Sequence, residues 1–297
     1  MHPKPPSIAA VVVSYNPSRK SFSHLIESLN KQVCETFLVD NSENEIQTLN
    51  YQNLSTTKLK ENLGLSRAQN IGISQALDAG YEFILLMDQD SLPEKNMVSE
   101  LHKAFLQLTN SGKQVAAVGP QFIDNQTKKL SRFPTLKVFP KFLNCRSHND
   151  LVPSQFLISS GSLIHSKALQ DIGLMHNDLF IDHIDTEWAF KAQSKGWKLY
   201  GCCKAKMAHS IGEYRKRIWL GKWRDLPIHK PQRYYYVFRN SIWLSKMKHV
   251  STTWSCVNML RNLALVAIVF LIHENRFSVI NQSWQGIKDG LSQPCKA

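Results

Sequence analysis

Phe83–Met87 is five apolar residues in a row, FILLM, and it runs straight into Asp88-Gln89-Asp90. A run without alternation fits a strand covered on both faces, as in the middle of a parallel sheet. Open α/β sheets bind ligands beyond the carboxyl ends of their strands, which is where these two acids fall. In an extended stretch, residues two apart face the same way, so Asp88 and Asp90 can reach one cation. Oxygen donors of this kind suit Mg²⁺ or Mn²⁺, ions that grip a diphosphate. A helix cap or a loop's solvated charges would use the same residue types, and only the position at a strand end separates the readings.

The first 120 residues alternate short β-rich runs with helical patterns, the signature of a parallel sheet covered by helices. Ile8–Val13 reads as a strand, Phe22, Leu25, Ile26 and Leu29 as a helix stripe, and Thr36–Val39 as a second strand. Thr57–Lys60 is a weaker third strand, and Ala68, Ile71 and Leu77 mark a helix that Gly80 stops. Pro93 suits the first turn of a helix whose buried stripe is Met97, Leu101, Phe105 and Leu108. Val115–Val118 is the next strand. Lys128 to Asp150 lacks periodicity and reads as a loop or lobe facing the acceptor. Regularity returns at Gln155–Ile164, with a short helix from Ser166, a helix from about Asp185 to Lys195 closed by Gly196, and a strand at Trp197–Tyr200.

The formal charge of the 297 residues is +13. From Lys191 to Lys248 there are fifteen Lys or Arg against Glu213 and Asp225, a difference of 15 − 2 = +13 that equals the whole excess. With its interleaved tryptophans and tyrosines, this block suits an anionic membrane surface, a phosphorylated substrate or single-stranded nucleic acid, or is simply a solvated face. The six cysteines show no C-x-x-C spacing and read as reduced thiols of a cytosolic protein. The N-terminal apolar run is too short for a signal-peptide core. Leu263–Ile272 is ten apolar residues, against roughly 20 needed to span a bilayer. It is either a buried helix of the tail or an interfacial segment. Together with the basic block it predicts peripheral attachment to the inner face of the cell membrane, without a spanning helix.

Seven segments occur in order: VVVSYNP at 11–17, FLVDNS at 37–42, ENLGLSRAQNIGI at 61–73, LLMDQD at 85–90, ISSGSLI at 158–164, FIDHIDTEW at 180–188 and MAHSIGE at 207–213. Together, over about residues 8–245, they resemble the family-2 glycosyltransferases of the GT-A fold, and among them the bacterial rhamnosyltransferases of O-antigen and capsule assembly. The resemblance implies an α/β fold with a Rossmann-like mixed sheet flanked by helices. It implies a domain over 1–245, with a nucleotide-binding half about 1–120 and an acceptor half about 121–245, followed by a basic helical tail over 246–297. It also implies an inverting transferase that takes a sugar from a nucleoside-diphosphate donor, dTDP-rhamnose above all, to a lipid-diphosphate-linked glycan.

Carried over residue by residue, the resemblance has Ser14, Tyr15 and Asn16 cradle base and ribose, with the Asp40 carboxylate accepting hydrogen bonds from them. Gly64 allows close backbone approach, and Arg67 and Asn70 face the nucleotide. Asp88, Gln89 and Asp90 meet the diphosphate and metal, Ser160, Gly161 and Ser162 line the sugar and acceptor pocket, and His209 ligates the metal or touches the diphosphate. Arg233 and Arg239, within RYYYVFRN, offer guanidinium forks to the diphosphate; a basic amphipathic helix on anionic lipid is the alternative.

The acids of FIDHIDTEW could simply complement a helix dipole. As chemistry, one of them is the general base that takes the proton of the acceptor hydroxyl. Asp185 aligns with the catalytic position, with Glu187 as the second acid and Lys191 as the basic position. Ile184 stands where an acid is commoner, which keeps Asp182 as rival. A sugar nucleotidyltransferase would want a Gly-rich basic loop where SYNPSRK stands, and a nucleic-acid-binding module would leave the acids at 88 and 90 without purpose, so no nucleic-acid partner is expected.

Overall fold

The computed structural model describes residues 7–44, 51–136, 140–145, 150–209, 214–219, 221, 223–293 and 295. In chain order it runs β1 (Ile8–Ser14), α1 (Arg19–Asn30), β2 (Glu35–Asp40), β3 (Leu54–Lys58), α2 (Leu65–Asp78), β4 (Phe83–Asp88), β5 (Leu92–Pro93), α3 (Met97–Asn110) and β6 (Val115–Asp124). There follow β7 (Phe133–Leu136), β8 (Pro140–Leu143), β9 (Leu151–Ser154), β10 (Leu163–His165), α4 (Ser166–Ile172), α5 (Ile184–Ser194) and β11 (Lys198–His209). The chain closes with β12 (Tyr214–Trp219), β13 (Trp223–Ile228), α6 (Pro231–Lys246), α7 (Thr252–Ile272) and α8 (Arg276–Ser292).

The main sheet has the order β3-β2-β1-β4-β10-β6-β11-β5, with β9 also on β11. The strands β3, β2, β1 and β4 are parallel, and β10 enters antiparallel between β4 and β6. Sheet order reverses at β1, whose two neighbours are β2 and β4, so the crevice between the ends of β1 and β4 is a topological switch point. Both faces of β4 are covered: Ile84 and Leu86 join the cluster holding Ile73, Trp188 and Phe190, while Phe83, Leu85 and Met87 join the one holding Leu25, Leu101 and Phe105. The unbroken apolar run is the consequence, since neither face meets water.

Several expectations are corrected. Pro93 lies in β5, paired with Met207, and the helix after it starts at Met97; Pro93 has no N–H to give and is tolerated on this two-residue edge strand. The third strand is Leu54–Lys58, because its register on β2 places Lys58 opposite Asp40. The described part of 128–150 holds the hairpin β7–β8. Within 155–164 only the start of β10 is regular, and the strand at 197–200 extends to His209. The cysteines are not all reduced: Cys145 and Cys203 form a disulfide.

The ten-residue apolar run is the end of the 21-residue helix α7, which is long and apolar enough to cross a membrane. Thr252–Leu260 continues the helix N-terminally with residues that a count of apolar runs leaves out. A buried tail helix is also ruled out, because only Ser255, Asn258, Asn262 and Val269 of α7 are buried.

Candidate active site

The end of β4 is built to hold Asp88 and Asp90 in place. The chain turns at Asp88–Ser91, with the Ser91 N–H donating to the Asp88 carbonyl at 3.1 Å. Ser160 Oγ accepts from the Asp88 N–H at 3.1 Å and lies 2.7 Å from Ser91 Oγ, which in turn lies 2.8 Å from His209 Nδ1. His209 ends β11, two strands beyond β10. Ligand atoms of Asp88, Asp90 and His209 all lie within 4.8 Å of one another. Gln89 faces away from the pair and exchanges hydrogen bonds with the backbone of Tyr15, accepting from its N–H at 2.7 Å and donating to its carbonyl at 3.1 Å.

Two carboxylates and an imidazole form a donor set for a hard divalent cation. Burial raises the Asp88 carboxyl above the usual range; His209 opposes that shift, Asp90 adds to it, and Arg233 opposes it. A site that makes a carboxylate costly to ionise is one that a cation would relieve, so the residues present fit a metal.

Beside it, the ends of β1 and β2 form a polar shelf. Three hydrogen bonds converge on Asp40 Oδ1: from Ser14 Oγ at 3.0 Å, from Ser42 Oγ at 2.7 Å and from the Ser42 N–H at 3.2 Å. Asn16 takes the left-handed region, φ 44°, where its N–H donates to Ser42 Oγ at 2.8 Å. The Asn41 amide ties this shelf to the 61–64 loop, donating to Asn62 Oδ1 at 3.0 Å and accepting from the Leu63 N–H at 2.8 Å.

The acid cluster sits in a strained loop. Phe180, Asp182 and His183 all have φ of 63–64°, a region that costs a non-glycine residue roughly 1–3 kcal/mol. α6 holds the loop there. The Asn240 amide nitrogen donates to the carbonyls of Leu179, Ile181 and Asp182 at 2.8, 2.7 and 3.0 Å, and Arg239 Nη2 donates to the Asp178 carbonyl at 2.8 Å. Arg233 clamps the Asp182 carboxylate from the same helix. Asp185, in the first turn of α5, accepts from the Thr186 N–H at 2.7 Å. Burial pushes its pKa up to about 6, and Asp88 and Asp182 add to the rise against the hydrogen bonds of Thr186.

A family model, Glycosyl transferase family 2, matches residues 9–173, more than half of the chain. The chain is a family 2 glycosyl transferase. It is 30% identical over 292 residues to the dTDP-rhamnosyl transferase RfbF of Shigella flexneri, covering 96% of this chain and 95% of that one. Among solved structures it is similar to S. aureus TarS 1-349 in complex with UDP-GlcNAc, with a TM-score of 0.58 at 17% identity over 96% of this chain and 80% of the other. It is also similar to GalNAc-T7 with UDP, GalNAc and Mn²⁺, with a TM-score of 0.56 at 14% identity. That alignment covers 86% of this chain and 55% of the other, so the transferase spans little more than half of GalNAc-T7. At these identities the likeness establishes the GT-A architecture alone.

Against this geometry the transferase keeps some of its expected site residues together and spends others elsewhere. Ser14, Tyr15, Asn16, Asp40, Asp88, Gln89, Asp90 and His209 share the switch-point crevice and the Asp88-Asp90-His209 corner beside it. Of Ser160, Gly161 and Ser162, Ser160 is fully buried behind Asp88, Gly161 N–H donates to the Leu86 carbonyl, and Ser162, 4% exposed, lines a small cavity of about 20 Å³ with Asp185.

Asn70 is buried, donating to the Met175 carbonyl and to Asn177 Oδ1, both at 2.8 Å. Arg239 spends its fork on Asn240 Oδ1 and two carbonyls. The close approach at Gly64, φ 86°, is to Phe180, whose ring carbon would lie 2.4 Å from an added Cβ. Arg67 stays half exposed, 3.7 Å from Asp178, on a cavity of about 400 Å³ shared with Asn62, Phe180 and Tyr236. Glu187 is buried in a pair with His249 at 2.9 Å, and Lys191 Nζ reaches the Leu174 carbonyl. Gly212, expected after His209, lies outside the described residues. Sequence reasoning missed Ser91 and Asn62; Ser91 adjoins one quoted motif and Asn62 lies inside another, which was the available signal.

Proposed function

We propose that this transferase moves L-rhamnose from dTDP-rhamnose, with inversion, to a hydroxyl of a lipid-diphosphate-linked surface glycan of the O-antigen or capsule type, at the cytosolic face of the membrane. The observation that carries the reading is the meeting, at one switch point, of the Asp88-Asp90-His209 corner, the Asp40 shelf and the acid loop. The relationship to a dTDP-rhamnosyl transferase over nearly the whole chain supports the donor, and the basic block supports a membrane-borne, phosphorylated acceptor.

In this reading the Asp40 shelf takes the ribose and base. Asp88, Asp90 and His209 hold Mg²⁺ or Mn²⁺, which when bound offsets the charge of the departing diphosphate. Arg233, held by Asp182, adds fixed positive charge beside Asp88. Asp185 accepts the proton of the acceptor hydroxyl as its oxygen bonds to the anomeric carbon and the bond from that carbon to the diphosphate oxygen breaks. One displacement inverts the centre, and no enzyme nucleophile is needed. The test is nucleoside-diphosphate release from a panel of dTDP-, UDP- and GDP-sugars with Mn²⁺ or Mg²⁺ and a membrane lipid extract as acceptor source. Release of dTDP from dTDP-rhamnose well above the other donors is the expected result. Preferential turnover of a UDP- or GDP-sugar would overturn the donor assignment.

A further inference from the structure

The outer face of the C-terminal helices is apolar where a helix in water is polar. α7 turns Asn258 and Asn262 inward, and both amides donate to the Ser241 hydroxyl of α6 at 2.9 Å. Outward it presents Leu260, Leu263 and Leu271, which are 68, 49 and 76% exposed. A water-facing helix arranges these sets the other way round. α8 extends the face with Phe277 and Trp284, 73 and 64% exposed. Behind it α8 lies tight on α6: a Cβ on Gly286 would stand 2.3 Å from the Tyr235 carbonyl oxygen. The polar seam and the close contact make this face a built surface.

Its surroundings say what covers it. Arg276 lies over the rings of Phe270 and Phe277 at 5.8 and 5.6 Å. The hairpin β12–β13 pairs Trp219 with Trp223, both well exposed, and Lys216 Nζ ties it to the Ile272 carbonyl at the end of α7 at 2.6 Å. Tryptophans and cations bordering an apolar face match the headgroup level of a bilayer, and the basic block supplies attraction to anionic lipid.

We propose that α7 and α8, with the Trp219–Trp223 hairpin, seat this protein in the interface of an anionic phospholipid bilayer with the helices parallel to its surface. Two observations keep α7 in the plane although it is long enough to span. Arg261 stands near its middle, and a guanidinium is costly at the centre of a bilayer. Asn258 and Asn262 bind it to α6, a contact that a spanning helix would have to give up. The seating deepens the reading of a membrane-carried acceptor and rests on it for its purpose. The helix beneath the lipid face, α6, is the one whose Arg233 and Asn240 hold the acid loop, so the site stays at a fixed height above the surface that carries the acceptor.

The experiment pellets the full chain with vesicles of phosphatidylglycerol and phosphatidylethanolamine, or of phosphatidylcholine alone. Binding to the anionic vesicles, at least ten-fold weaker on phosphatidylcholine and released by alkaline carbonate, is expected. Leu271→Glu with Trp284→Glu should lower binding at least ten-fold at an unchanged melting temperature, with Phe277→Glu as a second variant should the double one fold poorly. No pelleting of the wild type, or equal pelleting of folded variants, overturns the seating; carbonate resistance overturns the in-plane arrangement. A dimer in light scattering that Leu271→Glu dissociates, without vesicle binding, gives the face to a second copy and overturns it too. Nucleoside-diphosphate release from dTDP-rhamnose by the same protein, with the membrane lipid extract as acceptor source, separates the two readings. Turnover without vesicle binding sinks the seating alone, and vesicle binding without turnover supports the seating while sinking the donor reading.

Discussion

Arg233 grips Asp182 through two guanidinium nitrogens: Nε donates to both carboxylate oxygens at 3.2 and 3.0 Å, and Nη2 donates to Oδ1 at 2.8 Å. A carboxylate held in this way has its lone pairs spent on a cation that also stands in the field of Asp88. That leaves Asp185 as the acid available to take a proton.

The two acids should therefore separate in mutagenesis. Asp185→Asn is expected to bind donor normally and lose about 10²–10⁴ in transfer rate, the usual range for a general base. Asp182→Asn should instead loosen the loop and weaken its grip on Arg233, weakening donor binding and lowering stability. Donor titration beside single-turnover transfer on both variants checks this. A fully active Asp185→Asn enzyme beside an inactive, well-folded Asp182→Asn one would return the role to Asp182.

With its pKa raised to about 6 by burial, Asp185 should set the acid limb of the rate profile, with kcat/KM rising through pH 6. Stability should run the other way. The raised folded pKa means that the folded chain binds more protons than the unfolded one between about pH 4 and 6, so this group's contribution is greatest below that window and is lost as pH rises through it. Asp185→Asn should accordingly melt slightly higher than wild type at pH 7 and equally at pH 4. An acid limb unmoved in a partly active Asp185→Glu variant would contradict the assignment.

Asn240 is predicted to act at a distance. Asn240→Ala takes this donor from the Ile181 and Asp182 carbonyls, while the Leu179 carbonyl keeps Arg239 Nη2 and the Ile181 N–H, and should cost on the order of 2 kcal/mol. Because Phe180, Asp182 and His183 then lose part of what holds them at positive φ, Arg233 and Arg239 keeping the rest, kcat should fall with little change in donor affinity. A melting curve and a kcat-against-KM comparison decide it.

The Cys145–Cys203 bond closes a separation of 58 residues, for which chain entropy alone suggests roughly 4 kcal/mol. Reductant should lower the melting temperature of the wild type and leave Cys145→Ser unaffected.

What was legible in the sequence followed from local chemistry. FILLM ending in an acid pair reads correctly because both faces of β4 are covered and the pair follows directly. The three-residue strand β10 and the extension of β11 to His209 depend on pairing with β4 and β6, which no window of residues records. Arg239 and Asn70 carry the right chemistry for a ligand, but packing aims them at carbonyls of the 175–182 segment. The disulfide joins cysteines whose spacing carries no pattern, and α7 misleads because its polar residues face the protein.

In the proposed function the Asp88-Asp90-His209 corner would hold a metal, and that metal the donor. The direct measurement is calorimetric titration of dTDP into the protein with Mn²⁺, with excess chelator, and into Asp90→Ala with Mn²⁺. Binding in the first case, and at least ten-fold weaker binding in the other two with the melting temperature of Asp90→Ala unchanged, is the predicted result. Equal dTDP affinity under all three conditions would contradict it.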